Sequence, residues 1–362
     1  MNQWPSWLPL RQNLQELSAY GAPQLPADAV MNTNENPYPP SAALAKAIAD
    51  RISEVALTLN RYPDRDALVL RDKLADFING LSRTKFGSAN VWAANGSNEI
   101  IQSLFMAFGG GTALGFTPSY SMHPLIAKVT QVQWLNGNRR EDFTLDIDSA
   151  IEQIQRDKPT LTFITTPNNP TGSAVTIEEI EKIAKSTSGL LIVDEAYAEF
   201  SDEISAVTLI EKYPHVVVIR TMSKAFAFAG VRLGYLVADP AVVDAMFLVR
   251  LPYHLSALTQ AAGEVALDFK DELLGTVAQL RTDRDRVAAQ LSQMGLSVIP
   301  SASNFLLFSG FKMPSAQLWQ AMLDRGVLIR DVGLLGYLRV TIGNEAENTK
   351  FISTLSLCLG EK

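Results

Sequence analysis

The sequence has little of two residue types, and each shortage excludes a class of site. Cys358 is the one cysteine among 362 residues, so a disulfide within the chain is excluded and a reducing compartment, the cytoplasm, is expected. The three histidines, His123, His215 and His254, are widely spaced, and no metal-binding cluster can be read from them. The sequence therefore predicts a cytoplasmic protein without a bound metal.

Long apolar runs and basic runs are also missing. The longest apolar stretch, 241–258, is interrupted by Asp244, Arg250 and Pro252, which argues against a membrane span. The first ten residues lack the basic start and the continuous apolar core of a signal peptide. The formal net charge is −7, from 31 basic and 38 acidic residues, so neither nucleic acid nor an anionic membrane is an expected partner.

The chain is long enough to bury a large core and to form two domains. An irregular, proline-rich arm is followed by alternating helix and strand signals up to about residue 239, which predicts a mostly parallel sheet flanked by helices. A helix-rich stretch then leads to strand signals at 304–308, 327–330 and 337–342. We predict an N-terminal arm over 1–40, a large domain over 41–268 and a small domain over 269–362.

The most informative segment, 216–232, has a lysine directly after a predicted strand. Its apolar, β-branched run ends in Thr221 and Ser223, Lys224 follows, and Arg232 comes eight residues later. A partly desolvated lysine near other cations loses its proton readily and can react covalently with a carbonyl group. The hydroxyls and the arginine can hold a phosphate. An isolated Ser-Lys pair is more often a surface lysine, so the neighbouring motifs decide between the two interpretations.

Two other predicted strands also end in polar motifs. The run 161–166 is followed by P-N-N-P-T-G, a rigid turn that displays Asn169. The run 190–193 leads into D-E-A-Y, which contains Asp194 and Tyr197, and a carboxylate after four apolar residues needs a cation or a donor. Ligands of parallel sheets bind at the carboxyl ends of the strands, so we expect these side chains to meet the lysine there.

A fourth motif indicates a phosphate site. Residues 91–94 read as a strand and 95–98 as a tight turn, and apolar residues at helical spacing follow. The free amides and the positive end of that helix dipole would surround Ser97 and Asn98, as a phosphate requires. An ordinary helix N-cap has the same sequence pattern, so this motif depends on the other three.

Taken together, these motifs resemble the pyridoxal-phosphate-dependent aminotransferases of the aspartate aminotransferase (fold type I) group. Within that group the chain is most similar to the histidinol-phosphate aminotransferases. The resemblance covers nearly the whole chain, in A-Y-G-A-P near Tyr20, N-E-N-P-Y-P-P (34–40), R-Y-P-D (61–64), N-G-S-N-E (95–99), P-N-N-P-T-G, D-E-A-Y, T-M-S-K, R-L-G-Y and L-R-V-T-I-G (338–343). It implies an α/β fold, a large domain with a mostly parallel central sheet, a smaller α+β domain, and pyridoxal 5'-phosphate as cofactor.

The resemblance also implies roles for the motif residues. Lys224 would bind the cofactor covalently and later move a proton, and Asp194 would keep the ring nitrogen protonated. Tyr197 and Asn169 would donate hydrogen bonds to the ring hydroxyl oxygen, and Tyr120 would stack on the ring. The cofactor phosphate would be held by Ser97, Asn98, Thr221, Ser223 and Arg232.

A homodimer and a substrate site are implied as well. Tyr62 of R-Y-P-D would reach the cofactor phosphate of the neighbouring subunit. Arg339 would bind the substrate carboxylate and, with Arg330, a dianionic phosphate ester, although Arg330 beside Asp331 also fits a surface ion pair. Further substrate contacts would come from Tyr20, Asn98, Tyr120 and Tyr253.

The predicted reaction is the transfer of an amino group from L-histidinol phosphate to 2-oxoglutarate, which yields imidazole acetol phosphate and L-glutamate in histidine biosynthesis. An aromatic amino acid aminotransferase is an alternative, because the same pocket can hold a phenyl ring and a carboxylate. A threonine-phosphate decarboxylase has similar motifs. A regulator that reuses this fold would need a DNA-binding region, for which we find no room before residue 34.

One position departs from the family pattern. Ala227 stands where a glycine is more often found in this family. A methyl group there either narrows the approach to the cofactor or only packs, and the sequence leaves both interpretations open.

Overall fold

Strands and helices alternate along this computed structural model, which describes residues 4–360; residues 1–3 and 361–362, at the outer ends of the predicted arm and small domain, lie outside the described part. The strands are β1 Ala29–Val30, β2 Val91–Ala94, β3 Thr112–Thr117, β4 Gln133–Asn138, β5 Leu161–Thr165, β6 Leu190–Asp194, β7 Val216–Thr221, β8 Gly234–Val237, β9 Ser297–Val298, β10 Phe305–Ser309, β11 Val327–Leu328 and β12 Leu338–Thr341. The α-helices are α1 Gln12–Gln15, α2 Ala42–Ala56, α3 Leu68–Ser82, α4 Ser97–Phe108, α5 Met122–Thr130, α6 Ile147–Asp157, α7 Ile177–Ser186, α8 Pro240–Val249, α9 Ala257–Asp268, α10 Lys270–Gln293, α11 Ser315–Leu323 and α12 Glu345–Leu359.

The central sheet has seven strands in the order β2-β8-β7-β6-β5-β3-β4. Strands β3 to β7 are parallel to their neighbours among these strands, and β8 runs antiparallel to both β7 and β2. Helices cover both faces, so the parallel strands are buried on both sides and read as nearly continuous apolar runs. Every residue of β7 is buried. The predicted α/β fold with a mostly parallel sheet is confirmed.

Side chains of the sheet alternate between two faces, each with its own apolar cluster. Ile192 and Ile219 belong to one cluster, and Asp194 and Thr221 continue the same alternation. Leu191, Val193, Val218 and Tyr235 belong to the cluster on the opposite side, which we call the rear face. Because of this alternation, polar residues at the strand ends lie on one of the two faces of the sheet, each of which has its own apolar cluster.

The helices begin where the sequence supplies caps. The Thr176 hydroxyl oxygen accepts a hydrogen bond from the Glu179 amide, and the Glu179 carboxylate accepts one from the Thr176 amide, so α7 starts with a capping box. Its buried residues Ile180, Ile183 and Ala184 recur at helical spacing on the side that faces the core. Within residues 4–360, no helix is both long and apolar enough to cross a membrane.

The C-terminal region has a small antiparallel sheet in the order β12-β10-β9, accompanied by α10, α11 and α12. The arm contributes to this region, because β1 pairs in parallel with β11 through Ala29–Val327 and Val30–Leu328. The arm is thus tied to the C-terminal region over its last third. The division at residues 40 and 268 stays a proposal.

Candidate active site

A cavity of about 530 Å³ opens at the carboxyl ends of β3, β5, β6 and β7. The arm, the strand ends and the C-terminal region all contribute to its walls. It brings together most of the residues that the sequence predicts, namely Tyr20, Ser97, Asn98, Tyr120, Asn169, Asp194, Tyr197, Thr221, Ser223, Lys224, Arg232, Arg330 and Arg339. Tyr62 and Tyr253 lie outside this set and stack on each other with ring centroids 4.4 Å apart.

Lys224 follows β7 by three residues and points into the cavity. Its Nζ donates a hydrogen bond to the Thr33 carbonyl oxygen at 2.9 Å. Burial lowers the pKa of Lys224 from 10.5 to about 8, and the guanidiniums of Arg339 and Arg232 add to this effect while Glu35 opposes it. A lysine amine with such a pKa is a nucleophile and a base close to neutral pH.

Asp194, the last residue of β6, is buried and has a histidine partner that the sequence analysis did not identify. His123 Nε2 lies 3.1 Å from Asp194 Oδ2, and both side chains are almost fully buried. The His123 ring packs among aromatic rings, at 4.8 Å from Phe163 and 6.3 Å from Trp134. One signal was present in the sequence, since His123 follows Tyr120 by three residues; their ring centroids are 5.4 Å apart.

The hydroxyl of Tyr197 is held by two amide groups. Asn34 Nδ2 donates to it at 2.9 Å and Asn169 Nδ2 at 3.4 Å. Burial raises the pKa of Tyr197, so its phenol keeps its proton and can donate a hydrogen bond. Asn34 is a second residue that the analysis gave no role, although it lies in the N-E-N-P-Y-P-P motif.

The N-terminus of α4 forms one end of the cavity. The helix N-cap is Gly96 and makes no side-chain capping bond, so the interpretation of Ser97 and Asn98 as an ordinary N-cap is wrong. Gly96 has a φ of 85°, and a Cβ there would lie 2.7 Å from Arg232 Nη2. Glycine therefore allows the guanidinium to approach the helix end, an arrangement of amides and positive charge that suits a phosphate.

Hydroxyl groups line the same end. Thr221 Oγ1 and Ser223 Oγ are 3.1 Å apart. The Tyr120 hydroxyl donates to Asn98 Oδ1 at 3.1 Å, which links the aromatic wall to the first turn of α4. Burial raises the pKa of Tyr120, so this hydroxyl also remains protonated.

Two arginines of the C-terminal region also line the cavity. Arg330 and Arg339 are paired through reciprocal backbone hydrogen bonds of 2.9 Å. Arg339 Nη1 donates to Asn169 Oδ1 at 2.6 Å and Nη2 donates to the Asn32 carbonyl oxygen at 2.8 Å, so both partners are uncharged. Asp331 accepts a hydrogen bond from the Gly333 amide, and no salt bridge joins it to Arg330 within residues 4–360, so the interpretation as a surface pair is wrong.

Ala227 lies in the turn after Lys224 and is not among the residues that line the cavity. Its φ is 53°, in the left-handed region that glycine adopts more easily than alanine. Its amide donates to the Lys224 carbonyl oxygen at 3.2 Å. The position thus has a backbone reason to favour glycine, and the methyl group does not narrow the cavity.

The arrangement combines a basic amine, a buried carboxylate, protonated phenols, a polar wall at a helix N-terminus and two guanidiniums. It suits covalent chemistry at the amine on a substrate or cofactor with two anionic groups. Among residues 4–360, no group of three or more histidine, cysteine, aspartate or glutamate side chains could hold a metal ion.

Comparisons with known proteins agree with this chemistry. The model of the family "Aminotransferase class I and II" matches residues 29–355. A histidinol-phosphate aminotransferase of Corynebacterium glutamicum (strain R) is 56% identical over 348 residues, which cover 95% of each chain. The crystal structure of histidinol-phosphate aminotransferase from Sinorhizobium meliloti in complex with pyridoxal-5'-phosphate superimposes with a TM-score of 0.85 at 22% identity, over 97% of this chain and 98% of that one.

A third comparison limits what the fold alone can decide. L-threonine-O-3-phosphate decarboxylase from Porphyromonas gingivalis has a TM-score of 0.79 at 22% identity, over 92% of this chain and 100% of that one. The shared fold thus includes both transferases and a lyase, and the family assignment depends on the close sequence relative and the family model. The chain belongs to the class I and II aminotransferases and, within them, to the histidinol-phosphate aminotransferases.

Proposed function

We propose that this protein transfers the amino group of L-histidinol phosphate to 2-oxoglutarate, which yields imidazole acetol phosphate and L-glutamate in histidine biosynthesis. The observation that carries the proposal is the convergence of Arg330 and Arg339 on the cavity that contains Lys224. Burial and the positive charge of Arg330 both act to lower the pKa of Arg339, to about 10, so two cations face one space. A phosphate ester, with nearly two negative charges, matches such a pair. The family membership supports the same substrate.

The side chains around Lys224 fit pyridoxal 5'-phosphate, which we propose as the cofactor. Lys224 has the amine for covalent attachment and Asp194 the buried carboxylate for the ring nitrogen. Tyr197 and Asn169 have hydrogen-bond donors for the ring hydroxyl oxygen, and Tyr120 has a ring for stacking. Each functional group of the cofactor thus has a chemically matched partner in the cavity.

The phosphate group of this cofactor fits the N-terminus of α4, where Arg232 lies. The glycine at position 96 allows the Arg232 guanidinium to lie against the first turn of α4. Amides, hydroxyls and one cation at a helix N-terminus are the donors that bind phosphate. The phosphate ligands that we propose are Ser97, Asn98, Thr221, Ser223 and Arg232.

Proton transfer is the task of the chain itself. When bound, pyridoxal phosphate supplies an electron sink that stabilises negative charge on the substrate carbon. Lys224 removes the proton from that carbon and delivers it to the acceptor carbon, because its lowered pKa makes it a base near neutral pH. Asp194 provides the negative charge beside the ring nitrogen, and His123 orients that carboxylate. Asn34 and Asn169 hold the Tyr197 hydroxyl.

The imidazole ring of the substrate would lie between aromatic side chains at the cavity mouth. Tyr20 is 52% exposed and lines the cavity from the arm, opposite Tyr120 on the sheet side. Asn98 adds a polar contact for a ring nitrogen. Tyr253 lies outside the cavity of its own chain, so in this proposal it acts from the surface that it shares with Tyr62.

The exposed pair of Tyr62 and Tyr253 supports a homodimer in which Tyr62 reaches the cofactor phosphate of the neighbouring subunit. Tyr62 is 79% exposed, yet its ring is ordered by stacking at 14° on Tyr253. Leu57, Leu59, Leu248 and Leu251 are also exposed, and large exposed apolar surfaces mark interfaces. A cytoplasmic location is part of the same proposal, and the single cysteine supports it.

The substrate proposal is tested by Arg330→Met, with turnover measured for histidinol phosphate and for phenylalanine, each with 2-oxoglutarate. We expect kcat/KM for histidinol phosphate to fall about tenfold to a hundredfold, because one of two guanidiniums that face the phosphate is lost. The value for phenylalanine should change much less. Arg140→Met, which removes a half-exposed arginine outside the cavity, is the control and should leave both values unchanged.

Two outcomes would replace this proposal. If Arg330→Met left histidinol phosphate turnover unchanged while the wild type preferred phenylalanine, the protein would be an aromatic amino acid aminotransferase. If the wild type released carbon dioxide from threonine phosphate without any keto acid, it would be a decarboxylase.

A further inference from the structure

A fully buried cluster of ionisable groups lies on the rear face, behind the cavity. Arg220 on β7 contacts two carboxylates, with Nη2 at 2.8 Å from Glu195 Oε2 and Nη1 at 2.8 Å from Glu199 Oε1. Tyr235, the partner of Arg220 across the β7–β8 pair, faces the same cluster. The side chains of Arg220, Glu195 and Glu199 are between 3% and 5% exposed. No step of the proposed reaction uses these groups.

Each of two cluster residues is the chain neighbour of a cavity residue. Glu195 follows Asp194 at the end of β6, and Arg220 precedes Thr221 at the end of β7. Successive side chains of a strand point to opposite faces, so the rear pair and the cavity pair lie on the same backbone segments. The Glu195 amide also donates to the Ile219 carbonyl oxygen at 2.9 Å, which extends the pairing of the two strands.

The two carboxylates differ in how well they are satisfied. Glu195 Oε1 accepts from the Ala206 amide at 2.7 Å, and its Oε2 accepts from Ser205 Oγ at 2.7 Å and from the guanidinium. Glu199 bonds the guanidinium through one oxygen, and its Oε2 has no partner among the described residues. The Arg220 Nε and the Tyr235 hydroxyl are also without partners there.

If both carboxylates were ionised, one guanidinium and two carboxylates would leave one surplus negative charge in a buried place, which is unfavourable. A proton on one carboxylate removes that charge. Glu195 has donors on both oxygens and is therefore best satisfied as an anion, whereas Glu199 has a free oxygen that can carry the proton. Burial raises the pKa of Glu199, against the effect of Arg220. Glu199 is thus the neutral member.

We propose that Arg220 and Glu195 are positioning residues for the proposed transamination. Their ion pair holds the ends of β6 and β7 together on the rear face and so fixes Asp194 and Lys224. Glu199 is the second, uncharged partner of the guanidinium. This inference rests on the proposed function only for the identity of the reaction. The rear cluster acts through the backbone and touches neither substrate nor cofactor.

The two glutamates allow a matched test, because both contact the same guanidinium at 2.8 Å. The variants are Glu195→Gln and Glu199→Gln, as holoenzymes. Three quantities are measured, which are the Tm between pH 5 and 9, kcat and KM for the amino donor, and the pH midpoint of the visible absorption of the bound cofactor. Glutamine resembles an uncharged acid in shape, so it should be tolerated at position 199 only.

We expect Glu199→Gln to keep the wild-type Tm at pH 7 within about 2 °C and kcat within about twofold. Glu195→Gln should lower the Tm by about 3 °C or more, reduce kcat about tenfold with KM changed less than about threefold, and move the absorption midpoint by about half a pH unit. A lower Tm alone would indicate only a structural role. The midpoint of the visible absorption reports the protonation of the nitrogen that joins Lys224 to the cofactor, and in that case it would not move.

The pH dependence of the Tm tests the protonation of Glu199 directly. A carboxyl whose pKa is raised on folding stabilises the folded state fully below its unfolded pKa, and this stability is lost as the pH rises through the folded pKa. The wild-type Tm should therefore fall as the pH rises from the unfolded to the folded pKa of Glu199. The Tm of Glu199→Gln should fall less over the same pH range. The groups that face Glu199 are Arg220, Glu195 and Tyr235; Arg281 on the adjacent α10 is paired with Asp202.

Equal effects of the two substitutions on Tm and kcat at pH 7 would overturn the assignment of the proton to Glu199. A lower Tm in Glu195→Gln with an unchanged absorption midpoint and unchanged kcat would overturn the positioning role. If Glu195→Gln does not fold, Arg220→Lys, which keeps the charge but not the fork, replaces it with the same expectations. The midpoint is read without substrate, so it is independent of which amino donor the enzyme prefers. A wild type without visible absorption would contradict the proposed function instead.

Discussion

At the residue scale, the cavity contains positively charged side chains whose hydrogen-bond partners are uncharged. Lys224 bonds a backbone carbonyl, and Arg339 bonds an amide oxygen and a carbonyl oxygen. Such neutral partners orient a cation without neutralising it, so the positive charge remains available for an anionic ligand. The same arrangement lowers the pKa of Lys224 to about 8, first by burial and then through Arg339.

This pKa predicts how the lysine reacts with pyridoxal phosphate. When cofactor-free protein is mixed with the cofactor, the rate of attachment should rise with pH and level off above a midpoint near 8, because the unprotonated amine is the nucleophile. Arg339→Met removes a repelling positive charge and should move this midpoint upward. The measurement is the growth of visible absorbance after rapid mixing.

Arg330→Met is the matched control for that measurement, because Arg330 is not among the groups that shift the pKa of Lys224. It should leave the midpoint where it is in the wild type. A midpoint near 10.5, the ordinary value for lysine, in the wild type would contradict the effect of burial.

At the scale of elements, β7 and the turn after it do most to position the site. The strand is buried throughout, and its last residue, Thr221, lines the cavity while Arg220 points to the rear face. The turn then brings Lys224 into the cavity and reaches Ala227 in a left-handed conformation. The T-M-S-K motif predicted that Lys224 follows the end of a strand. The sequence indicated the strained position only through Ala227, which stands where this family more often has glycine.

Ala227→Gly should therefore stabilise the protein. Relief of the left-handed strain is worth roughly 1–2 kcal/mol, and the extra freedom of glycine in the unfolded chain removes roughly 0.5–1 kcal/mol of it. The expected net gain in the free energy of unfolding is about 0.5–1 kcal/mol, measured by urea denaturation, with kcat unchanged because residue 227 is outside the cavity. Ala225→Gly, in the same turn but fully buried, should instead destabilise. A loss of stability in Ala227→Gly would mean that its methyl group packs usefully.

At the scale of the whole molecule, the stacked Tyr62 and Tyr253 predict a site shared between subunits. Mixing Lys224→Ala with Tyr62→Ala, and allowing subunits to exchange, gives hybrid dimers in which one site has both lesions and the other has neither. Random exchange should restore about a quarter of the wild-type activity, because half of the dimers are hybrids with one intact site. Activity is measured before and after exchange.

A control mixture distinguishes this arrangement from a general effect of mixing. Asp194 and Lys224 line the same cavity of one chain, so hybrids of Asp194→Ala and Lys224→Ala carry one lesion in each site and should stay inactive. A monomer in sedimentation, or equal recovery in both mixtures, would contradict the role of Tyr62 across the interface.

The sequence alone determined several strands that lead to the cavity, among them β5, β6 and β7, together with the turns that follow them and the residue types at those turns. The predicted strand 91–94 coincides with β2, and the polar residues after β5, β6 and β7 all reach one cavity. These features follow from short-range patterns, since buried parallel strands need apolar runs and their carboxyl ends meet at one edge. The family resemblance added the proposed chemistry, and the close relative confirmed the family.

Only the tertiary structure decided which distant residues complete each group. His123 reaches Asp194 across 71 positions, Asn34 reaches Tyr197 across 163, and Lys224 finds the Thr33 carbonyl across 191. Arg220 lies within an apolar run, and its neighbours in sequence did not indicate that it would pair with Glu195 and Glu199. Hydrogen bonds and pKa values depend on burial and on neighbours in space, and these arise when the arm and the strand ends pack together.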